Sequence, residues 1–505
     1  MSSETTPAAV RFNDVPVLSG FYPDPTICRA GDRYYLANSS FEYLPGVPIH
    51  ESTDLVTWRQ VGNVYDRREQ LDLRGAPSGT GTYAPTLRHH DGRFYLITTD
   101  ITTVMEGQLI ASADDPAGPW SVPVRVPGPM GIDPDLFWDV DGSCHMTWAG
   151  WSLSGDGGIL SLPIDPDTGD VLGEIRRLWQ GTGLAHPEGP HLYRIDDTYY
   201  CLLAEGGTER GHCVTIARAP SLDGPWESAP HNPILSHRSS THPVQSTGHG
   251  DLVERPDGTW AMVHLGNRPR GRTPAFHVNG RETFVVGVDW VDGWPVVDES
   301  RFEVPETDTA FTDGFVADNL DPRWMSPGGV HVDTVRPAPG GGLVISPVDD
   351  ERPLPALCVR ARDEGWRAHI DLASPDGGPG LQVHLDTDNW FEVRLEGGRA
   401  VAEVSVAGLR HTFPDTGLEV PVEGLWCAAI AEPPAPYPMG GPDTLAVGVR
   451  SGGRDIELAR VDGRLVSTEV ASGFTGRTIG LRATTGEVRI TEFGYAPRAA
   501  EQIKP

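Results

Sequence analysis

One phrase recurs five times, and it restricts the fold more than any other feature of the chain. It reads "GDRYYLANSS" from residue 31, "DGRFYLITTD" from 91, "DGSCHMTWAG" from 141, "DDTYYCLLAE" from 196 and "DGTWAMVHLG" from 257. Each copy is a turn dipeptide followed by an aromatic-rich strand, the second half of a hairpin. The spacings are 60, 50, 55 and 61 residues. Such a period suits four-stranded units arranged around an axis, so the five copies predict a five-bladed β-propeller over about residues 15–300. A weaker echo, "TDLVTW" at 53, "DDPAGPW" at 114 and "SLDGPW" at 221, predicts outer-hairpin turns.

At 505 residues, with Gly 60 and Pro 46, the chain exceeds one ordinary core and favours short strands over long helices. Three segments are expected: the propeller in 1–300, a polar linker in 301–310, and a second unit in 311–505. The last segment alternates apolar and polar residues ("WRAHIDLA", "NWFEVRLEGG", "DIELARVDG") between Gly-rich turns, and predicts a β-sandwich. The chain as a whole reads as all-β.

The net charge of -30 argues against nucleic acid and anionic membranes, whose recognition needs basic patches; a neutral sugar suits it. No run approaches the roughly 18 apolar residues of a membrane span. "MSSETTPAAVRFND" has neither a basic start nor an apolar core, and the six cysteines are scattered without a C-x-x-C pair. Buried free thiols and a cytoplasmic location are the expectations.

The strand preceding each repeated phrase opens as "PDPTI" (Asp24), "YAPTL" (Ala84), "IDPDL" (Asp133), "PEGPHL" (Glu188) and "GHGDL" (His249), with the register between units certain to one residue. Around an axis, strand starts converge on one end. Asp24, Asp133, Glu188 and His249, with Tyr83, are therefore expected to share one space. The flanking Pro and Gly residues fix the backbone there.

In these residues, and in ordered matches such as "GIDPDLFWDVDG", "HPEGPHLYRIDDTYYCLLAEGGTERGH" and "GRETFVVGVDW", the chain resembles glycoside hydrolase family 43. The match is closest to the branch of two-domain β-xylosidases and α-L-arabinofuranosidases. The resemblance implies an inverting, exo-acting hydrolase that releases xylose (β-1,4-xylosidase) or arabinose from xylo- or arabino-oligosaccharides, the likeness leaving that choice and any homo-oligomer open. By motif, Asp24 is the general base, Glu188 the general acid and Asp133 the third carboxylate. Phe41 resembles an apolar pocket wall and Arg281 an arginine that reaches substrate hydroxyls. His249 corresponds to an axial residue that holds a calcium ion or an ordered water network, and His212 to a pocket-border residue or, equally, a structural hydrogen-bonding one. No organic cofactor is implied. Tyr83 stands where many members of this branch carry tryptophan, which changes the pocket's shape and polarity. The implied sandwich packs against the propeller as a clamp, with carbohydrate binding as its other reading. The remoter alternatives are a retaining fructoside hydrolase and a non-catalytic sugar-binding protein.

The trio makes chemical sense. Inversion needs two carboxyl groups roughly 6.5–9.5 Å apart, with room for water beyond the sugar. The acid must hold a proton where the base does not. A negative neighbour about 5.5 Å away, at an effective dielectric of about 20, is worth about 3 kcal/mol or about 2 pKa units. Asp133 is thereby expected to keep Glu188 partly protonated near pH 6.

Overall fold

The computed structural model describes residues 14–498 except 129, 152–156, 318, 351, 415–420 and 432–439. The N-terminal stretch read above for a leader lies almost wholly outside them. Residues 26–298 form five four-stranded sheets, each built from successive strands of the chain except that Tyr43–Leu44, inside the first, pairs instead with Ser326–Pro327. Their first strands are Thr26–Ala30, Thr86–His90, Gly131–Trp138, Glu188–Ile195 and Gln245–Glu254. All pairing within them is antiparallel. The five repeated phrases supply the second strands, and the three echo motifs turn the chain between third and fourth strands.

Each turn works because its residues accept the left-handed backbone: Asp91 and Gly92 have φ 49° and 80°, and Asp196 has φ 53°. Aromatic and β-branched residues then alternate along the strand, so both faces are covered by neighbouring sheets. Five apolar clusters fill the gaps between successive sheets. Leu87, Leu96 and Ile49 join the first and second; Met146 and Ile97 the second and third; Cys201 and Ile159 the third and fourth; Met262 and Ile216 the fourth and fifth. The fifth cluster closes the circle, setting Val263 and Val285 against Ile27 and Leu36. Fully burying one such aliphatic side chain is worth about 1.5–3 kcal/mol. Val17 and Leu18 donate backbone hydrogen bonds to Thr283 O, which ties the entering chain to the last sheet.

At the centre, residues from all five sheets meet in one polar knot. Arg88 lies 2.8 Å from both Asp135 and Asp251, and its Nη2 is 3.0 Å from His191 Nδ1. Asp251 also accepts from Thr26 Oγ1, Ile27 N and Tyr193 Oη. With Arg88 beside it, Asp251 titrates at about 2 although burial alone would raise it.

Residues 311–498 add a six-stranded and an eight-stranded sheet. Trp366, Ile370, Leu425 and Val447 from the larger share one core with Leu381, Phe391 and Ile479 from the smaller. This part grips the first at named points. Arg360 donates to Phe21 O at 2.9 Å, with its guanidinium 4.5 Å and 4.4 Å from the rings of Phe21 and Tyr22. Gly280 (φ 82°) lies so near Gly476 that a Cβ would meet backbone at 2.9 Å. That contact brings Arg281 and Phe474, on either side of it, to one place. All six cysteines are buried and unpaired, as expected. Among the described residues no helix is long and apolar enough to cross a membrane.

Candidate active site

Three of the strand starts share an unusual backbone. Asp24, Asp133 and His249 have φ 52°, 57° and 45°. Asp and the residues around it tolerate this region, and the following Pro25 and Pro134 have no N–H to leave unpaired where the ladder breaks. Register shifts between Ile132 and Asp135, between Glu188 and His191, and between Gly248 and Asp251 mark bulges that re-aim the side chains. In the fourth sheet the equivalent slot, two residues before the paired His191, is Gly189 (φ 56°). Glu188 therefore stands one position earlier than strict equivalence, within the one-residue tolerance of the sequence reading.

These residues line one cavity of about 420 Å³, together with Phe41, Tyr83, Ala84 and Arg281. Every candidate named from the sequence for this space is present except His212, which is buried behind it with its Nδ1 3.2 Å from Ser246 O. Phe41 and Phe474 stack at 5.8 Å and 18°, and Tyr83 meets both edge-on. Tyr83 Oη donates to Gly79 O at 3.2 Å, which holds its ring as a wall. Sequence reasoning missed Phe474, which arrives from the C-terminal part, and Thr208 of the "EGGTERG" loop. A lone aromatic between glycines in "SGFTG" was the available signal for the first.

Asp24 is clamped on both oxygens. Arg281 Nη1 donates to Oδ1 at 2.9 Å, and Ser39 Oγ donates to Oδ2 at 2.6 Å. Asn38, the residue before Ser39, donates to the carbonyls of Tyr22 and Pro23, so the loop beneath the acid is bolted too. Burial alone would raise the Asp24 pKa; the guanidinium, a charged His249 and the Ser39 hydroxyl bring it below the ordinary aspartate value. That is the state of a base that keeps its charge.

Asp133 Oδ2 accepts from Gly189 N at 3.1 Å. His249 Nε2 lies 3.8 Å from that oxygen and 3.7 Å from Glu188 Oε1. Although burial opposes it, Asp24, Glu188 and Asp133 together hold the imidazole charged, up to about 9. Here the expected electrostatics need correction. Burial, Glu188 and Asp24 push Asp133 up to about 7 against the pull of His249, whereas Glu188 falls below its ordinary value because contact with His249 outweighs its own burial. A proton on Asp133 balances Arg281 and His249 against Asp24 and Glu188 and leaves the cavity near neutral. His249, a cation within reach of both, reverses the order expected for Asp133 and Glu188.

Glu188, His212 and His249 place ligand atoms within 4.8 Å of one another. Calcium takes six to eight oxygens, and this set offers one carboxylate and two nitrogens. The residues do not fit the calcium ion expected at His249.

Five such sheets bring these acids to one cavity, and comparison with known proteins gives the family. The model of glycosyl hydrolases family 43 matches residues 13–295, and the chain belongs to that family. It is 43% identical over 311 residues to a xylosidase/arabinosidase of Butyrivibrio fibrisolvens, covering 58% of this chain and 59% of the relative. It is 44% identical over 287 residues to a non-reducing end α-L-arabinofuranosidase of Bacteroides ovatus, covering 56% and 53%. These matches thus span little more than half the length of the curated relatives. Among solved structures, a xylan β-1,4-xylosidase from Bacillus halodurans C-125 superposes with TM-score 0.83 at 27% identity, covering 96% of this chain and 100% of that one.

Proposed function

We propose that the chain is an inverting, exo-acting glycoside hydrolase that removes xylose from the non-reducing ends of xylo-oligosaccharides. The observation that carries this reading is the gathering of Asp24, Asp133 and Glu188 on one walled cavity of about 420 Å³, a space for a terminal sugar. The five sheets are read as propeller blades and the two C-terminal sheets as a sandwich, with the linker in 301–310. The sandwich acts as a clamp, a role that Arg360 and Phe474 support.

In this mechanism Asp24, aimed by Ser39 and Arg281, takes a proton from a water that attacks the anomeric carbon. Glu188 takes up the proton that Asp133 holds, donates it to the leaving oxygen and ends as a carboxylate, while Asp133 is left ionised. The aromatic wall of Phe41, Tyr83 and Phe474 packs against the sugar and excludes water. A second reading, α-L-arabinofuranosidase or a dual enzyme, is favoured by Tyr83 in place of tryptophan and by the Bacteroides ovatus relative's name. Six buried thiols and a high acidity support the cytoplasm and a neutral oligosaccharide partner.

Proton NMR of the first product anomer tests the mechanism: xylose of opposite configuration to the substrate is expected, and retained configuration would sink it. Aryl xyloside against aryl arabinofuranoside decides the sugar.

The pH profile of kcat/KM follows from the charges. The base limb should fall near pH 7, as Asp133 loses its proton. The acid limb should lie below the ordinary aspartate range, since Asp24 is lowered. Ser39→Ala removes a donor to the charged form, so its acid limb moves to higher pH. Activity at about pH 4 should drop several-fold more than at about pH 6; an unmoved limb would show that Ser39 does not orient the base.

A further inference from the structure

A second cluster of histidines and a carboxylate lies beside the fifth sheet, and none of its members lines the catalytic cavity. The segment that leads into that sheet reads "SHRSSTHPVQ" from residue 236. Ser240 N and Oγ both donate to His237 O, at 3.1 Å and 2.6 Å, and Ser240 Oγ accepts from His242 N at 3.2 Å. This turn folds the segment back on itself. The imidazoles of His237 and His242 are thereby stacked, with centroids 3.8 Å apart and planes 26° from parallel. Glu299, just past the outermost strand Trp294–Asp298, reaches the same point. Its Oε2 lies 2.9 Å from His237 Nε2 and 3.5 Å from His242 Nε2.

Three features suit this trio to a metal ion. The first is spacing: the three donor atoms lie within 4.8 Å of one another. Zinc bonds of about 2.0–2.1 Å set tetrahedral ligands about 3.3 Å apart, a separation between the two distances found here. The second is the hold on the far nitrogens. His237 Nδ1 is 2.9 Å from Val244 O, and His242 Nδ1 is 3.1 Å from the same carbonyl and 3.0 Å from Val244 N. With its proton on Nδ1, each ring donates to Val244 O and turns the Nε2 lone pair toward Glu299, as metal-binding histidines do. The third is access. His237 and His242 are 6% and 8% exposed, whereas the Glu299 side chain is 38% exposed, so an ion has a way in and room for a water.

The donor set selects the metal. Two imidazoles and one carboxylate, completed by water, are a zinc set, while calcium and magnesium take oxygens.

We propose that His237, His242 and Glu299 bind a zinc ion, with water as the fourth ligand. The ion joins segments 62 residues apart in the chain. One leads into Gln245–Glu254, the strand that carries His249, and the other ends the outermost strand of the same sheet. It thus pins the first strand of the fifth sheet to the last, and the stacked rings splay as it enters.

The test uses the full chain without an affinity tag, stripped with EDTA and dialysed against micromolar zinc chloride. Bound zinc is counted by mass spectrometry, and melting is followed with and without the ion. Glu299→Gln and His242→Gln should each hold one zinc per chain fewer than the parent. Loss of an outer partner of a ligand already costs about 10–100-fold in affinity, so loss of a ligand should cost more than about a hundredfold. Zinc should raise the melting temperature of the parent and leave that of both variants unchanged. Glu299 is partly exposed, so Glu299→Gln keeps the fold, and its melting in EDTA reports this. A parent that binds no zinc overturns the proposal. Zinc retained by either folded variant overturns it too, and places the ion at Glu188, His212 and His249 instead.

Discussion

Glu188→Gln is expected to lower kcat on xylobiose about a thousandfold while nitrophenyl xyloside loses less than about tenfold. The difference comes from the leaving group. A xylose alkoxide is a poor leaving group and requires a proton as the bond breaks, a contribution typically worth about a hundredfold to ten-thousandfold. Nitrophenolate departs without one. Glutamine keeps the shape and fits the space beside His249, but it cannot take up a proton and pass it to the leaving oxygen. With Glu188 neutral, His249 also loses one of the negative neighbours that hold it charged. Equal loss on both substrates would remove Glu188 from the acid role.

Asp24→Asn should behave in the opposite way, lowering kcat on both substrates alike by about three orders of magnitude. Water must be activated whatever the leaving group, and an amide cannot take its proton. The side chain should stay near its place: its carbonyl can still accept from Arg281 and its amide can donate to Ser39 Oγ, so KM should change little. An aryl substrate spared by Asp24→Asn would mean that another group activates the water. The two variants form a pair, since only the assigned roles predict a substrate-dependent loss for one and a uniform loss for the other.

The parts of this design that lie within one strand and its turn were legible in the sequence. The repeated dipeptide and aromatic strand fixed the count of sheets, and the Pro-flanked acids announced their own rigidity. What stayed hidden depends on contacts between distant segments. The one-residue offset of Glu188 from the other slots follows from a bulge at Gly189, and bulges leave no periodic trace. Ser39 sits in an ordinary "NSS" run, and only its 2.6 Å contact with Asp24 reveals a purpose. Phe474 comes from 176 residues beyond the last strand of the fifth sheet, which ends at Asp298, where alternation speaks of a core and is silent about a neighbour's pocket. The charge of His249 arises from three carboxylates brought together by the fold, so a pairwise estimate from sequence assigned the raised pKa to the wrong partner.

The knot around Arg88 has a bearing on how the molecule comes apart. Its guanidinium binds acids from the third and fifth sheets, and those acids bind side chains from the first and fourth. Losing the second sheet would strand both acids without their cation, at a cost of about 3–5 kcal/mol, and losing any other would take a partner from the knot. Piecemeal fraying is thereby penalised at every step, and the five sheets should melt together as a single thermodynamic unit despite being stitched from near-identical modules. A chain assembled by repetition has, at its hub, given up the independence of its repeats.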